Sequence, residues 1–211
     1  MSSPVSSPVS RHVSSLAGAP APDTAPIAAP DPQAVIDAHR GQVLLLAGPP
    51  GAGKTTLARR MAARPGVVHL HSDLFWGFLG ASRIPPVLPE AEARNRVVLD
   101  AVAAAAGRFA AAARWLVVVD GVLGPWALAP FAPLGPHCVV LRVDEGLAVA
   151  RCARRGTGGD TLTDSGPVRD LHRRFADLGA LEGHAVEATS LSPEEAEARV
   201  LGRLLSGEAR L

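Results

Sequence analysis

Lysine is nearly missing from this chain: of 21 lysine and arginine residues all but one are arginine, and the exception is Lys54. Set against 20 aspartates and glutamates, they leave a net charge of +1, too weak a field of either sign to hold nucleic acid or an anionic membrane surface. Cysteine is scarce as well. Cys138 and Cys152, the two cysteines, are too few for a multi-bridge framework and have neither C-x-x-C nor zinc-finger spacing. They read as buried or incidental thiols in a reducing compartment, with one bridge between them as the alternative. The apolar runs, Ala101 to Ala106 and Leu116 to Val119 among them, fall far short of a membrane span. The expectation is a cytosolic protein whose partners include no nucleic acid and no membrane, with the oligomeric state left open. The 211 residues suit one domain with a core of its own.

The chain does hold Gly48-Pro49-Pro50-Gly51-Ala52-Gly53-Lys54-Thr55-Thr56, which fits the phosphate-loop pattern G-x-x-x-x-G-K-[ST] from Gly48 to Thr55. Before it, Val43 to Ala47 is the continuous apolar run of a buried parallel strand, and after it Thr55 to Ala63 reads as a helix. In that context the glycines let successive backbone N–H groups turn inward, forming an anion-binding nest at the positive end of the helix. Lys54 then reaches the β- and γ-phosphates and the Thr55 hydroxyl takes a Mg²⁺ position. A compact ammonium on a flexible stem can follow a transferring phosphoryl group where a planar guanidinium cannot. The chain's only lysine stands where that difference counts.

Met1 to Pro32 is rich in serine, proline and alanine, repeats Ser-Ser-Pro-Val, and lacks the apolar core of a secretory signal. It is expected to be a disordered tail, or a stretch upstream of the true start, ahead of a folded domain over residues 33–211. Patterning predicts strands at Val43 to Ala47, Val67 to His71, Trp115 to Asp120 and Cys138 to Val143, with a weak fifth at Ala185 to Ala188. Helices are predicted over Gln33 to Arg40, Thr55 to Ala63, Pro89 to about Ala113, Glu145 to Arg155, Pro167 to about Leu178 and Pro193 to Leu205. Strands alternating with helices predict an α/β fold, a parallel sheet with helices on both faces and ligands beyond the strands' carboxyl ends.

Asp73 and Asp120 fall at that edge with the loop. Asp120 has two readings, an acid that orients Mg²⁺ beside Thr55 or a cap for the next turn. Asp73 is either a base accepting a substrate hydroxyl's proton, with a share in metal binding, or the N-cap of a helix beginning near Leu74. Arg151, Arg154 and Arg155 adjoin the flexible Gly156 to Gly159 and can close over a nucleotide, or cap their helix from a solvated face. Arg169 and Arg173 share a helix face, for which surface charge is the simpler reading. Phe75, Trp76, Phe78 and Trp126 flank the two acids and are candidates for an apolar acceptor pocket as much as for core, with Asn95 and Arg96 facing it from the long helix.

On these residues the chain resembles the small phosphate-loop kinases, with an AAA-type ATP-binding domain, a group that includes chloramphenicol phosphotransferase, the zeta-toxin sugar-nucleotide kinases and the shikimate and gluconate kinases. The likeness runs from about Val43 to Leu205. It is carried by GPPGAGKTT and, less specifically, by His71-Ser72-Asp73, Val119-Asp120-Gly121 and Arg151 to Arg155. The resemblance implies a three-layer sandwich on a five-stranded parallel sheet ordered 2-3-1-4-5, with a small lid after the fourth strand. It also implies Asp73 as the base and adenine between the arginines of the lid helix and Thr189 to Leu191. The shikimate kinases' glycine cluster is reduced to Gly121 and Gly124, and their Asp-x-Asp is absent at Asp73, which argues against shikimate.

The expected activity is transfer of the γ-phosphate of ATP, with Mg²⁺, to a hydroxyl of a small molecule, antibiotics included. Gly48 to Thr56 would bind the phosphates, Thr55 and Asp120 the metal, with Lys54, Asp73, Arg151 and Arg155 catalytic. Two other readings are an NTP-hydrolysing switch acting through a protein partner and a toxin-like kinase of nucleotide sugars.

Overall fold

The computed structural model describes residues 30–86, 88–154 and 163–211. Residues 1–29, most of the expected tail, and residues 155–162, which include Arg155 and the Gly156 to Gly159 stretch, lie outside the described residues. In chain order the elements are α1 (Pro32–Ala38), β1 (Val43–Ala47), α2 (Lys54–Ala62), β2 (Val67–His71), α3 (Ser72–Gly77), α4 (Glu92–Ala110), β3 (Leu116–Asp120), β4 (His137–Arg142), α5 (Glu145–Ala153), α6 (Ser165–Arg174), β5 (Ala185–Glu187) and α7 (Pro193–Ser206). Short 3-10 turns join several of them.

All five strands are parallel, in the order β2-β3-β1-β4-β5. The sheet's middle is apolar on both sides because β1, β3 and β4 carry unbroken Val/Leu runs, buried along nearly their whole length. Alternation then sorts the residues. Leu44 and Leu46 join Leu116 and Val118 against α1, α2 and α7, while Val43 and Leu45 join Val117 and Val119 against α4, Phe131 and Phe175. Three layers result, helix, sheet and helix, as the resemblance implied.

Several boundaries differ from the sequence expectation. Pro89 opens a 3-10 turn (Pro89–Ala91) rather than the long helix, and α4 starts at Glu92 and stops at Ala110, short of Ala113. Its buried positions, Val98, Leu99, Val102, Ala103 and Ala106, keep helical spacing up to Gly107, where a Cβ would lie 2.9 Å from the Leu134 side chain. The third helix begins at Ser72 with His71 as N-cap, so Asp73 lies inside the first turn and is not the cap. Helix α6 starts at Ser165 behind its N-cap Asp164, whose side chain accepts from the Gly166 N–H, and ends at Arg174 rather than near Leu178. Helix α1 ends at Ala38, not Arg40. The start of α7 follows expectation. Ser192 and Glu195 form a reciprocal capping box around Pro193, an arrangement that contributes about 1 kcal/mol.

His137 opens β4 almost wholly buried. Its Nε2–H donates to Gln42 Oε1 at 2.6 Å, while Nδ1 has no hydrogen-bond partner among the described residues. Burial pushes this imidazole down to about 4, helped by His39 and Arg210 nearby. Because the folded value lies below the unfolded one of about 6.5, the unfolded chain binds the extra proton between pH 6.5 and 4. The stability held by neutral His137 is therefore complete above about pH 6.5 and is lost as pH falls towards 4, an effect on the order of 3 kcal/mol. Urea unfolding across that range is expected to show the loss, and His137→Phe to flatten it. A variant with the wild-type slope would contradict this assignment. Among the described residues no helix is long and apolar enough to cross a membrane.

Candidate functional site

The loop between β1 and α2 is built by backbone fit. Gly51 has φ +80°, and a Cβ there would lie 2.5 Å from the Ala148 carbonyl oxygen, so α5 packs directly on the loop's main chain. Gly53 has φ +96° and serves as left-handed N-cap of α2, with no side-chain hydrogen bond to the first turn. The first N–H groups of α2 thus have no capping side chain, as an anion site at a helix N-terminus requires. Lys54 is buried (7% exposed), and its Nζ donates to the Pro49 carbonyl at 2.8 Å, folding the side chain back across the loop.

Thr55 and Asp120, 65 residues apart in sequence, meet here. Thr55 Oγ1 donates to Asp120 Oδ2 at 2.5 Å, bringing together the two residues expected to hold the metal. Asp120 ends β3, pairs with Leu46 of β1 and His71 of β2, and is completely buried. It is not merely a turn cap, because two histidines also hold it. His69 Nε2 stands 2.5 Å from Oδ1, and His71 Nδ1 stands 3.0 and 3.1 Å from the two oxygens. Burial alone would raise the Asp120 carboxyl. The hydrogen bonds from His69, His71 and Thr55, with the charge on His71, outweigh it and hold the carboxyl well below the usual carboxylate range. The bond to Asp120 in turn raises His71 above the ordinary imidazole value. From sequence the two histidines read as strand residues, His71 also as part of the His71-Ser72-Asp73 likeness, with no role of their own. The i, i+2 spacing of His69-Leu70-His71 was the available signal, since it puts both rings on one face of β2.

Asp73 stands beside this group. Its Oδ2 lies 3.7 Å from His71 Nε2 and its side chain is 56% exposed, accessible to an incoming molecule. Around it α3 displays Leu74 and its C-cap is Phe78, both largely exposed, with Phe78 edge-on to Phe75. Trp76 donates through Nε1 to Asn95 Oδ1 at 2.8 Å, and Asn95 donates to the Pro86 carbonyl, so these two residues join α3 to α4. Trp126 is half-exposed, packs on Phe175, and carries the Arg174 guanidinium 4.0 Å above its ring.

On the loop's other side lies a cleft of about 310 Å³, lined by Gly51 to Gly53 and Thr56, by Leu141 and Arg151, and by Ala188, Leu191, Pro193 and Ala196. Arg151 Nη1 donates to the Gly51 carbonyl at 3.3 Å. The cleft therefore runs from the phosphate loop to the segment after β5. Arg154 is exposed at the end of α5, and Arg155 lies outside the described residues. Arg169 pairs with Glu145 and Arg173 with Asp170, surface ion pairs rather than parts of the cleft.

A glycine-rich loop entering a helix N-terminus, a Thr–Asp pair beside it, and a 2-3-1-4-5 parallel sheet define a phosphate-loop NTPase fold, a nucleotide-binding architecture. The chain belongs to the AAA domain family, whose model matches residues 43–178. No curated protein matches it. Among solved structures it is similar to a sugar kinase from Janibacter sp. HTCC2649, at 19% identity over 80% of this chain and 96% of that one, TM-score 0.59. It is also similar to the tunicamycin resistance protein of Deinococcus radiodurans, at 18% identity over 79% and 94%, TM-score 0.55. A gluconokinase from Sinorhizobium meliloti 1021 is 22% identical over 81% and 94%, TM-score 0.52. A match to a chain of the Pnkp1/Rnl/Hen1 RNA repair complex, TM-score 0.51 at 18% identity, takes in 65% of this chain and only 45% of that one. At such identities the likeness is one of fold.

Proposed function

We propose that this protein is an ATP-dependent phosphotransferase that phosphorylates a hydroxyl of a small, partly apolar molecule. The observation that carries this reading is the meeting of Lys54, the Thr55–Asp120 pair and exposed Asp73 at one sheet edge, between a nucleotide-sized cleft and the apolar surface of α3. The apolar cleft wall at Leu141, Ala188 and Leu191 suits an adenine face, and the loop N–H groups suit the phosphates. The donors Thr55 Oγ1 and Asp120 Oδ2 fit Mg²⁺, an oxygen-seeking cation that would neutralise phosphate charge there.

In this mechanism Asp73 accepts the acceptor's hydroxyl proton as the hydroxyl oxygen attacks the γ-phosphorus. The bond to the bridging oxygen breaks and ADP leaves. Lys54 leaves the Pro49 carbonyl to follow the transferring phosphoryl group, and Arg151 lies on the nucleotide side to balance its charge. Catalysis is then mainly positioning and electrostatics.

The test is ATP consumption by the purified protein with Mg²⁺ across sugars, gluconate, nucleotide sugars, amphenicols and tunicamycin, with product masses recorded. One acceptor gaining one phosphoryl group supports the reading and names the acceptor class. ATP turnover independent of every acceptor would instead favour a switch acting through a protein partner.

A further inference from the structure

We propose that His69, His71 and Asp120 form a binding site for a divalent cation of the zinc class, Zn²⁺ or Co²⁺, distinct in donor chemistry from the oxygen site of Thr55, with which it shares Asp120. The three residues offer two imidazole nitrogens and a carboxylate oxygen, all within 4.8 Å of one another. Two strands in fixed register hold them: His71 lies directly across from Asp120 in the β2–β3 ladder, and His69 is two residues back on the same face. Asp120 forms the floor at 0% exposure. The imidazoles, at 15% and 22%, form a wall that solvent reaches.

A two-nitrogen, one-oxygen set with an open fourth position is the donor pattern of a tetrahedral zinc-class site, whereas Mg²⁺ takes near-octahedral oxygen ligands and keeps its water. Bonds of about 2.0–2.1 Å to a tetrahedral ion would space neighbouring donors about 3.3 Å apart. His71 Nδ1 is already 3.0 Å from Asp120 Oδ1, and His69 Nε2, at 2.5 Å, must open by about 0.8 Å to reach that spacing. It does so from β2, the edge strand, which pairs on one side only. The ion displaces the proton that faces Asp120 on each imidazole, to solvent, and leaves the far nitrogen of each protonated. For His71 that nitrogen is Nε2, 3.7 Å from Asp73 Oδ2, so Asp73 occupies the place of the outer carboxylate that orients a metal-bound imidazole. Oδ1 of Asp120 faces both imidazoles, while Oδ2, which His71 Nδ1 reaches at 3.1 Å, holds the Thr55 hydroxyl.

This inference goes beyond phosphoryl transfer, and its test uses neither nucleotide nor turnover, so either reading can fail alone. The full chain, stripped with chelator, is titrated with Co²⁺ and followed by visible d–d absorption. The expected result is saturation at one equivalent with four-coordinate intensity, bleached by one equivalent of Zn²⁺ and insensitive to excess Mg²⁺. His69→Gln and His71→Gln should each weaken Co²⁺ at least about tenfold, and His184→Gln, at a histidine hydrogen-bonded to the Cys138 carbonyl, should leave it unchanged. No saturating signal, or full binding by the His69→Gln/His71→Gln double variant, overturns the site. Should the variants not fold, imidazole NMR of the wild-type protein decides. Co²⁺ that shifts or broadens the His69 and His71 resonances first supports the site, and Co²⁺ that acts first on other histidines refutes it.

Discussion

Lys54→Ala is expected to lower phosphoryl transfer by at least about 10²–10³ and to weaken nucleotide binding, because in the proposed mechanism it removes the ammonium that follows the transferred charge. The loop itself should survive. Lys54 donates from Nζ to the Pro49 carbonyl, a charged hydrogen bond worth about 1.5–3 kcal/mol, while the loop's path is fixed by the packing of Gly51 on Ala148. Lys54→Arg makes the sharper comparison. It keeps the charge but brings a planar fork into a position where the wild-type side chain is 7% exposed, so it should remain within about tenfold of the alanine variant. Single-turnover transfer and calorimetric nucleotide binding, measured on both variants, check this. Wild-type values for Lys54→Ala would remove the loop from the mechanism.

For Asp73→Asn the expected loss is about 10²–10⁴ in the rate of transfer, with nucleotide affinity nearly unchanged. The residue projects from the first turn of a six-residue helix at 56% exposure, and its neighbours are Ser72 Oγ at 3.5 Å and His71 Nε2 at 3.7 Å. Little of the fold depends on it. A carboxylate in a first turn gains a few tenths of a kcal/mol from the helix dipole, so asparagine should scarcely alter the melting temperature. The pattern that counts is a fall in kcat at constant nucleotide Kd in a folded protein. Full transfer by the variant would take the base away from Asp73 and leave His71 as the nearest titratable group.

The strand, loop and helix around Lys54 were legible because each signal there is local. An unbroken apolar run, three glycines and a helical period follow one another within about twenty residues. Asp120 was legible as the polar residue ending a buried strand. Its histidine partners were not, since His69 and His71 meet it only through a β2–β3 register that no local pattern encodes. The bond from Arg151 to the Gly51 carbonyl is likewise a contact across 100 residues. Two helix starts differ from their local signals. Pro89 fits the first position of an α-helix as well as the 3-10 turn it opens, and Asp73 fits an N-cap until the chain is seen to turn one residue earlier, at His71.

The isolation of Lys54 among arginines also makes the molecule its own reporter. Besides the terminal α-amine, an amine-acylating reagent finds one lysine side chain in the whole sequence, at a residue 7% exposed inside the phosphate loop, and peptide mapping separates the two. The lysine's rate of modification measures how often the loop opens to solvent, on the unaltered chain and without an introduced label. Guanidinium-directed reagents, with twenty targets, could not single out the loop in this way.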